Sequence, residues 1–311
     1  MIYLDYNATT PLCDEARVAM LPYLDRHFGN PSSIHAAGRD ARAAIDDARD
    51  GIAALLGVRP NELIFTSGGT ESNNLAILGL ARSHAARGRH LICGRTEHHA
   101  VLHAFEHLQK RENFEVTWLA CDQGGHIRLG ELEQSIRPDT TLVSIMRANN
   151  ETGVIQPMTE ISALCRARGL LLHSDMVQSL GKLATNLDEV DAASFAAHKI
   201  YGPKGAGMLF LRVGVPIEAT QFGGSHENER RPGTENVAAI AGMAGALQAT
   251  LRDREREQRR EALLRDRLWE IISRHAPGAR QNGDTAQRLG NTLNISFPGM
   301  TSETLLMALD L

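Results

Sequence analysis

In FAAHKIYGPKG, residues 195–205, a lysine follows a small apolar run and a histidine and leads into a Gly-Pro-Lys-Gly turn. That context sets the Lys199 amine on a rigid turn at the end of a buried strand, where it can lose its proton and condense with an aldehyde cofactor as a Schiff base. Taken alone, the same residues also describe a surface lysine beside a turn, and three other segments bear on the choice. IFTSGGTESNN (64–74) ends a strand at Thr66, follows with Gly68 and Gly69, and opens a helix at Thr70 and Glu71. Free N–H groups at a helix start, next to glycines that admit an anion, make a phosphate cradle. The segment matches neither the nucleoside-triphosphate loop nor the dinucleotide fingerprint. LLLHSDMVQSLGK (170–182) puts Asp175 just past a buried apolar run. A carboxylate there needs a positive partner, and a protonated pyridine nitrogen is one. Gln178, three residues on, is placed to donate to a phenolic oxygen. A metal pair or a helix cap is the alternative for His173 and Asp175, but spacing supplies no third ligand, so no metal is expected. CGRTEHHAV (93–101) puts His98 between a strand and a helix, where an imidazole can stack on a planar ring and move protons, or simply cap the helix. Together these parts suit pyridoxal phosphate (PLP).

The elements that must position them alternate. Apolar runs at 63–66, 91–93, 116–119, 142–146, 170–173, 192–195 and 207–211 read as buried strands. Helical patterns at 45–56, 70–86, 100–111, 129–136 and 158–168 fall between most of them. The expected fold is α/β, a mostly parallel seven-stranded sheet flanked by helices. Such sheets bind ligands beyond the C-terminal strand ends, where Thr70, His98, Asp175 and Lys199 all fall. A long helical pattern from Asn236 to about His275 carries a densely charged middle that reads as a solvated face. A strand at 292–297 and a helix from Ser302 follow. The expected division is an N-terminal segment at 1–14 belonging with a small domain, a large cofactor-binding domain at 15–250, and a bridging helix with an incomplete small α+β domain at 251–311.

Composition narrows the partners. The 311 residues have a formal charge of -4, which favours neither nucleic acid nor an anionic membrane. No run reaches the ~18 apolar residues of a membrane span. The start, MIYLDYN, has no basic-then-apolar leader, and the four cysteines at 13, 93, 121 and 165 form no paired motif. The cytoplasm is the expected compartment.

In order along the chain, LDYNATTP (4–11), FGNPSSIH (28–35), TSGGTESNN (66–74), TEHHAV (96–101), ANNETGVIQP (148–157), HSDMVQSLGK (173–182), AAHKIYGPKG (196–205), RRPGTENV (230–237) and LNISFPG (293–299) resemble the cysteine desulfurases. These belong to the class V aminotransferase group of fold-type I PLP enzymes. The resemblance implies conversion of L-cysteine to L-alanine, with sulfur passed as a persulfide to an acceptor such as an iron–sulfur scaffold protein. It implies that Lys199 holds PLP, His98 stacks on the ring and assists proton transfer, Asp175 pairs with the pyridine nitrogen, and Gln178 pairs with the phenolic oxygen. Asn150 would orient substrate and ring, and Gly69, Thr70 and His198 would hold the phosphate. Thr234 would reach the phosphate of the other subunit of a homodimer, and Asn7, Ala8 and Thr9 would line the substrate mouth. Two departures stand out. Family members often carry a phosphate-binding serine two residues before the His-Lys pair, where this chain has Ala196. The family's nucleophilic cysteine, on a mobile loop beyond the segment resembling SETLLMALDL, and the arginine after it have no counterpart here. The chain therefore reads as C-terminally truncated, able to bind PLP but not to complete sulfur transfer by the family route. Another class V lyase or aminotransferase, such as a selenocysteine lyase, and a non-catalytic remnant of the fold are the alternatives.

Overall fold

The computed structural model describes residues 2–310. A first helix, α1 (Asp14–Asp25), is capped by the Cys13 side chain, and α2 (Ala36–Leu56) ends on Gly57 in the left-handed conformation that glycine adopts without strain. Strand β1 (Leu63–Thr66) leads into α3 (Gly69–Ser83), then β2 (His90–Gly94), α4 (His99–Arg111), β3 (Glu115–Leu119), α5 (Leu129–Ser135) and β4 (Thr140–Ser144). Next come α6 (Met158–Ala167), β5 (Leu171–Asp175), β6 (Ala192–Ala196), β7 (Gly207–Leu211) and the long α7 (Val237–His275). A two-residue ribbon, β8 (Arg280–Gln281) with β9 (Ile295–Ser296), and α8 (Ser302–Asp310) complete the chain.

The seven expected strands form one sheet in the order β1-β7-β6-β5-β4-β2-β3. Strands β3, β2, β4, β5 and β6 are parallel, whereas β7 runs antiparallel to both β6 and β1. Alternate side chains leave on opposite faces, and both faces are covered. Phe65, Ile92, Val143, Leu172, Phe195 and Met208 pack with residues of α2, α6 and α7 such as Ile45, Ile161 and Met243. Ile64, Leu91, Leu142 and Leu209 pack with Leu75 and Ile77 of α3 and Val101 and Phe105 of α4. Burial on both faces explains why these strands read as continuous apolar runs.

The strand expected at 292–297 contracts to Ile295–Ser296, because only those residues find a partner, in β8. Strand β5 extends two residues further than expected and ends on Asp175 itself. The loop before α7 is held by three acid–arginine pairs. Glu227 accepts two bonds from Arg49 and one from the Phe65 N–H. Arg231 pairs with Glu71 of α3, and Arg42 of α2 pairs with the buried Glu235. Buried carboxylates need such partners, so the loop is fixed against α2, β1 and the first turn of α3.

Candidate active site

A cavity of about 580 Å³ opens at the C-terminal ends of β1, β2, β5 and β6. Ten of the residues singled out in the sequence line it: Asn7, Ala8, Gly69, Thr70, His98, Asn150, Asp175, Gln178, His198 and Lys199. Thr9 stands behind the wall, its hydroxyl 3.1 Å from His198 Nδ1. Thr234 lies outside the cavity, exposed on the loop between Arg231 and Glu235.

Lys199 ends a single tight turn after β6. Its Nζ donates to the main-chain carbonyls of Asn7 and Ala8, the latter at 2.6 Å. Burial lowers its pKa from 10.5, opposed by the charges of Asp5, Asp175 and Glu151. Desolvation thus favours the free base that condensation with an aldehyde requires. The N-terminal segment is pinned there by backbone: Thr10 N–H donates to the His198 carbonyl at 3.0 Å, and Cys13 N–H to that of Tyr201 at 2.9 Å. The Asn7 amide donates to the Asn150 carbonyl and to Thr292 Oγ1.

Asp175 is buried and accepts from the Val177 N–H at 3.0 Å and from Asn73 Nδ2 at 2.7 Å. Burial raises its pKa, and those two bonds oppose the rise. Among the described residues it has no salt-bridge partner, so its charge would be matched by a cation seated in the cavity. Asn73, on the first turn of α3 beyond Thr70, escaped the sequence reading, and its Oδ1 is buried without a partner. Asp5, Met146, Glu151, Val177 and Ala196 complete the lining.

His98 caps α4, its Nδ1 accepting from the Ala100 N–H at 3.1 Å. The proton of the neutral ring therefore resides on Nε2. Below it Glu97 is wholly buried, with Oε1 accepting from the Met146 N–H at 2.5 Å and Oε2 without a partner. Desolvation pushes its carboxyl well above the usual range, against the Met146 hydrogen bond. His173, two residues before Asp175, has both ring nitrogens in hydrogen bonds to the hydroxyls of Ser144 and Ser194. Burial drives its pKa down to about 3, so it is a neutral strut of the sheet.

The residues fit PLP on features of the chain itself. Gly69 passes so close to Val177 that a Cβ there would lie 2.8 Å from Val177 Cγ2, so glycine lets the start of α3 pack against the cavity wall. The first N–H groups of α3 have no helical acceptors, and Thr70 and His198 flank them in the cavity wall. His198 is held neutral, its pKa brought down to about 4 by burial and by the charges of Lys199 and Lys204. The buried Asp175 carboxylate awaits a cation at the far end.

No cysteine lines this cavity. Cys13 caps α1, Cys93 and Cys165 are buried with raised pKa values, Cys165 at about 12, and Cys121 sits in a bridge to Ile127. Among the described residues no helix is long and apolar enough to cross a membrane.

A mostly parallel sheet carrying a lysine and an aspartate at neighbouring strand ends above a helix-start anion cradle is the layout of a fold-type I PLP-dependent enzyme. The chain belongs to the class-V aminotransferase family, whose model matches residues 2–311, and within it to the cysteine desulfurases. It is 45% identical over 312 residues to the cysteine desulfurase IscS of Dictyoglomus turgidum, covering all of this chain and 79% of that protein. It is 47% identical over 315 residues to the IscS of Klebsiella pneumoniae, covering 99% of this chain and 78% of that one. Among solved structures, a NifS-like protein superposes with a TM-score of 0.95 at 37% identity, over 99% of this chain and 85% of its own. SspA in complex with cysteine superposes with a TM-score of 0.86 at 32% identity, over all of this chain and 87% of its own.

Proposed function

We propose that this chain binds PLP through Lys199 and seats L-cysteine there, as in the family reaction that passes sulfur as a persulfide to an acceptor, with the thiolate for that transfer not among its own cavity residues. The observation that carries the reading is the convergence of Lys199, Asp175, His98 and the Gly69–Thr70 helix start on one cavity. When bound, PLP supplies an electron-withdrawing ring that stabilises charge at the substrate Cα. The chain's residues do the rest. Asp175 would hold a proton on the pyridine nitrogen, Gln178 Nε2 would donate to the phenolic oxygen, and Thr70, His198 and the α3 N–H groups would hold the phosphate. Lys199 Nζ moves the proton at the substrate Cα. His98 Nε2, its tautomer set by the Ala100 N–H, would move a second proton of the substrate. Asn150 and the Asn7–Ala8–Thr9 turn orient the substrate.

Sulfur uptake needs a thiolate, and none of the four cysteines faces the cavity. Reconstitution with PLP is expected to give a visible absorbance band that shifts on adding L-cysteine, while alanine release by these 311 residues stays at background. Absence of the band would overturn the cofactor reading, and sustained alanine release would show that a thiol reaches the site after all.

We further propose a homodimer in the cytoplasm that passes sulfur to an acceptor such as an iron–sulfur scaffold protein. The division into 1–14, 15–250 and 251–311 stands as part of the same proposal. Val18, Leu21 and Leu24 of α1, with Phe28, Ile34 and Phe222, are large apolar side chains left exposed, and the first three share one helix face. Exposed apolar side chains in this number support the reading of an interface. Light scattering is expected to give twice the chain mass, and a monomer at micromolar concentration would sink the dimer and the role of Thr234 across it.

A further inference from the structure

Gln178 is buried, and its two amide ends are held differently. Nε2 donates to the Asn7 carbonyl at 2.9 Å, on the cavity side. Oε1 accepts from Lys182 Nζ at 3.0 Å. An ammonium can only donate, so Lys182 fixes which end of the amide turns away from the site. Lys182 stands behind Gln178 in a second cavity of about 280 Å³, which it lines with Tyr6, Tyr201 and Glu261. Burial lowers its pKa to about 8, with Glu261 of α7 opposing the fall and Lys199 adding to it, so the ammonium persists at neutral pH.

We propose that Lys182 is a positioning residue for the cofactor: it locks the Gln178 amide with Nε2 toward the cavity, so that Gln178 can only donate to the oxygen it meets there. The inference rests on the PLP reading and goes beyond it, since Lys182 does not line the cavity that holds Lys199 and Asp175. A donor to the phenolic oxygen stabilises that oxygen's negative charge. With Lys182 gone, only the Asn7 carbonyl still orients the amide, which turns over more readily, so the oxygen loses its donor part of the time and holds the neighbouring proton more tightly.

The test is the pH midpoint of the Lys199-dependent visible band in the PLP-loaded protein. Lys182→Met is expected to raise the midpoint by about one pH unit, a tenfold change in the ratio of the two forms at fixed pH. Lys182→Arg, which keeps a donor, should stay within about 0.3 units of the parent. Gln178→Leu should reproduce the methionine shift, and the double variant should add nothing to it. Lys182→Leu is measured beside Lys182→Met, with a melting curve for each, so that a folded variant without the ammonium is in hand. A parent-like midpoint in the Lys182 variants, or shifts of Lys182 and Gln178 that add, overturns the positioning role while the band itself preserves the PLP reading. Absence of any band in the parent overturns both.

Discussion

Replacing Lys199 by alanine is expected to abolish the visible PLP band and its borohydride-reducible attachment. Exchange of the Cα hydrogen of L-alanine for solvent deuterium, which needs no sulfur acceptor, should fall by about 10²–10⁴-fold, the usual worth of a positioned proton-transfer group. The fold should survive. Nζ donates only to the Asn7 and Ala8 carbonyls, and the N-terminal segment stays tied by Thr10 to His198 and by Cys13 to Tyr201. The pH dependence has a definite sign. Burial lowers the folded-state pKa of Lys199 below 10.5, so across the interval between the two values the unfolded chain binds the proton that the folded chain has released. Stability of the cofactor-free protein therefore rises with pH through that interval, and Lys199→Ala should flatten the rise. A reducible band that survives in the variant would move the attachment to another amine.

The sheet was legible because strands buried on both faces advertise themselves as apolar runs, and the strand-end rule then pointed to Thr70, His98, Asp175 and Lys199. What stayed hidden depends on contacts between distant segments. Asn73 is one helical turn past Thr70, yet only Asp175, 102 positions away, gives its amide a purpose. Glu97 carries no mark of burial in its own segment, but the Met146 N–H, 49 positions on, holds its carboxyl in the core. Helix α1 was missed because Pro22 lies inside it and it leaves Val18, Leu21 and Leu24 exposed. The loop before α7 was the least readable. Glu227, Asn228 and Glu229 all adopt positive φ without a glycine among them, a conformation ordinarily avoided by such residues. The grip of Arg49 and the Phe65 N–H on the Glu227 carboxylate holds them there.

Replacing Asp175 by asparagine should separate stability from function. The variant can keep every local bond. Its Oδ1 still accepts from the Val177 N–H, and its new N–H₂ can donate to Asn73 Oδ1, which has no partner in the parent, once the Asn73 amide turns over. What it loses is charge. Burial raises the pKa of Asp175 above 3.8, so the folded chain retains a proton that the unfolded chain has released. Stability of the cofactor-free parent therefore falls as pH climbs from about 3.8 through the raised folded value, and the deficit persists at neutral pH. The asparagine variant carries no such deficit and should melt higher than the parent at pH 7, with the gap closing below pH 4. In the PLP-loaded protein the order reverses. Without the carboxylate the pyridine nitrogen loses its proton, and Cα hydrogen exchange should fall by about 10²–10³-fold, the scale on which one preorganised charge contact acts in a desolvated site. A variant that exchanges as fast as the parent would remove Asp175 from the cofactor, and one that melts lower at pH 7 would mean that Asn73 does not turn to meet it.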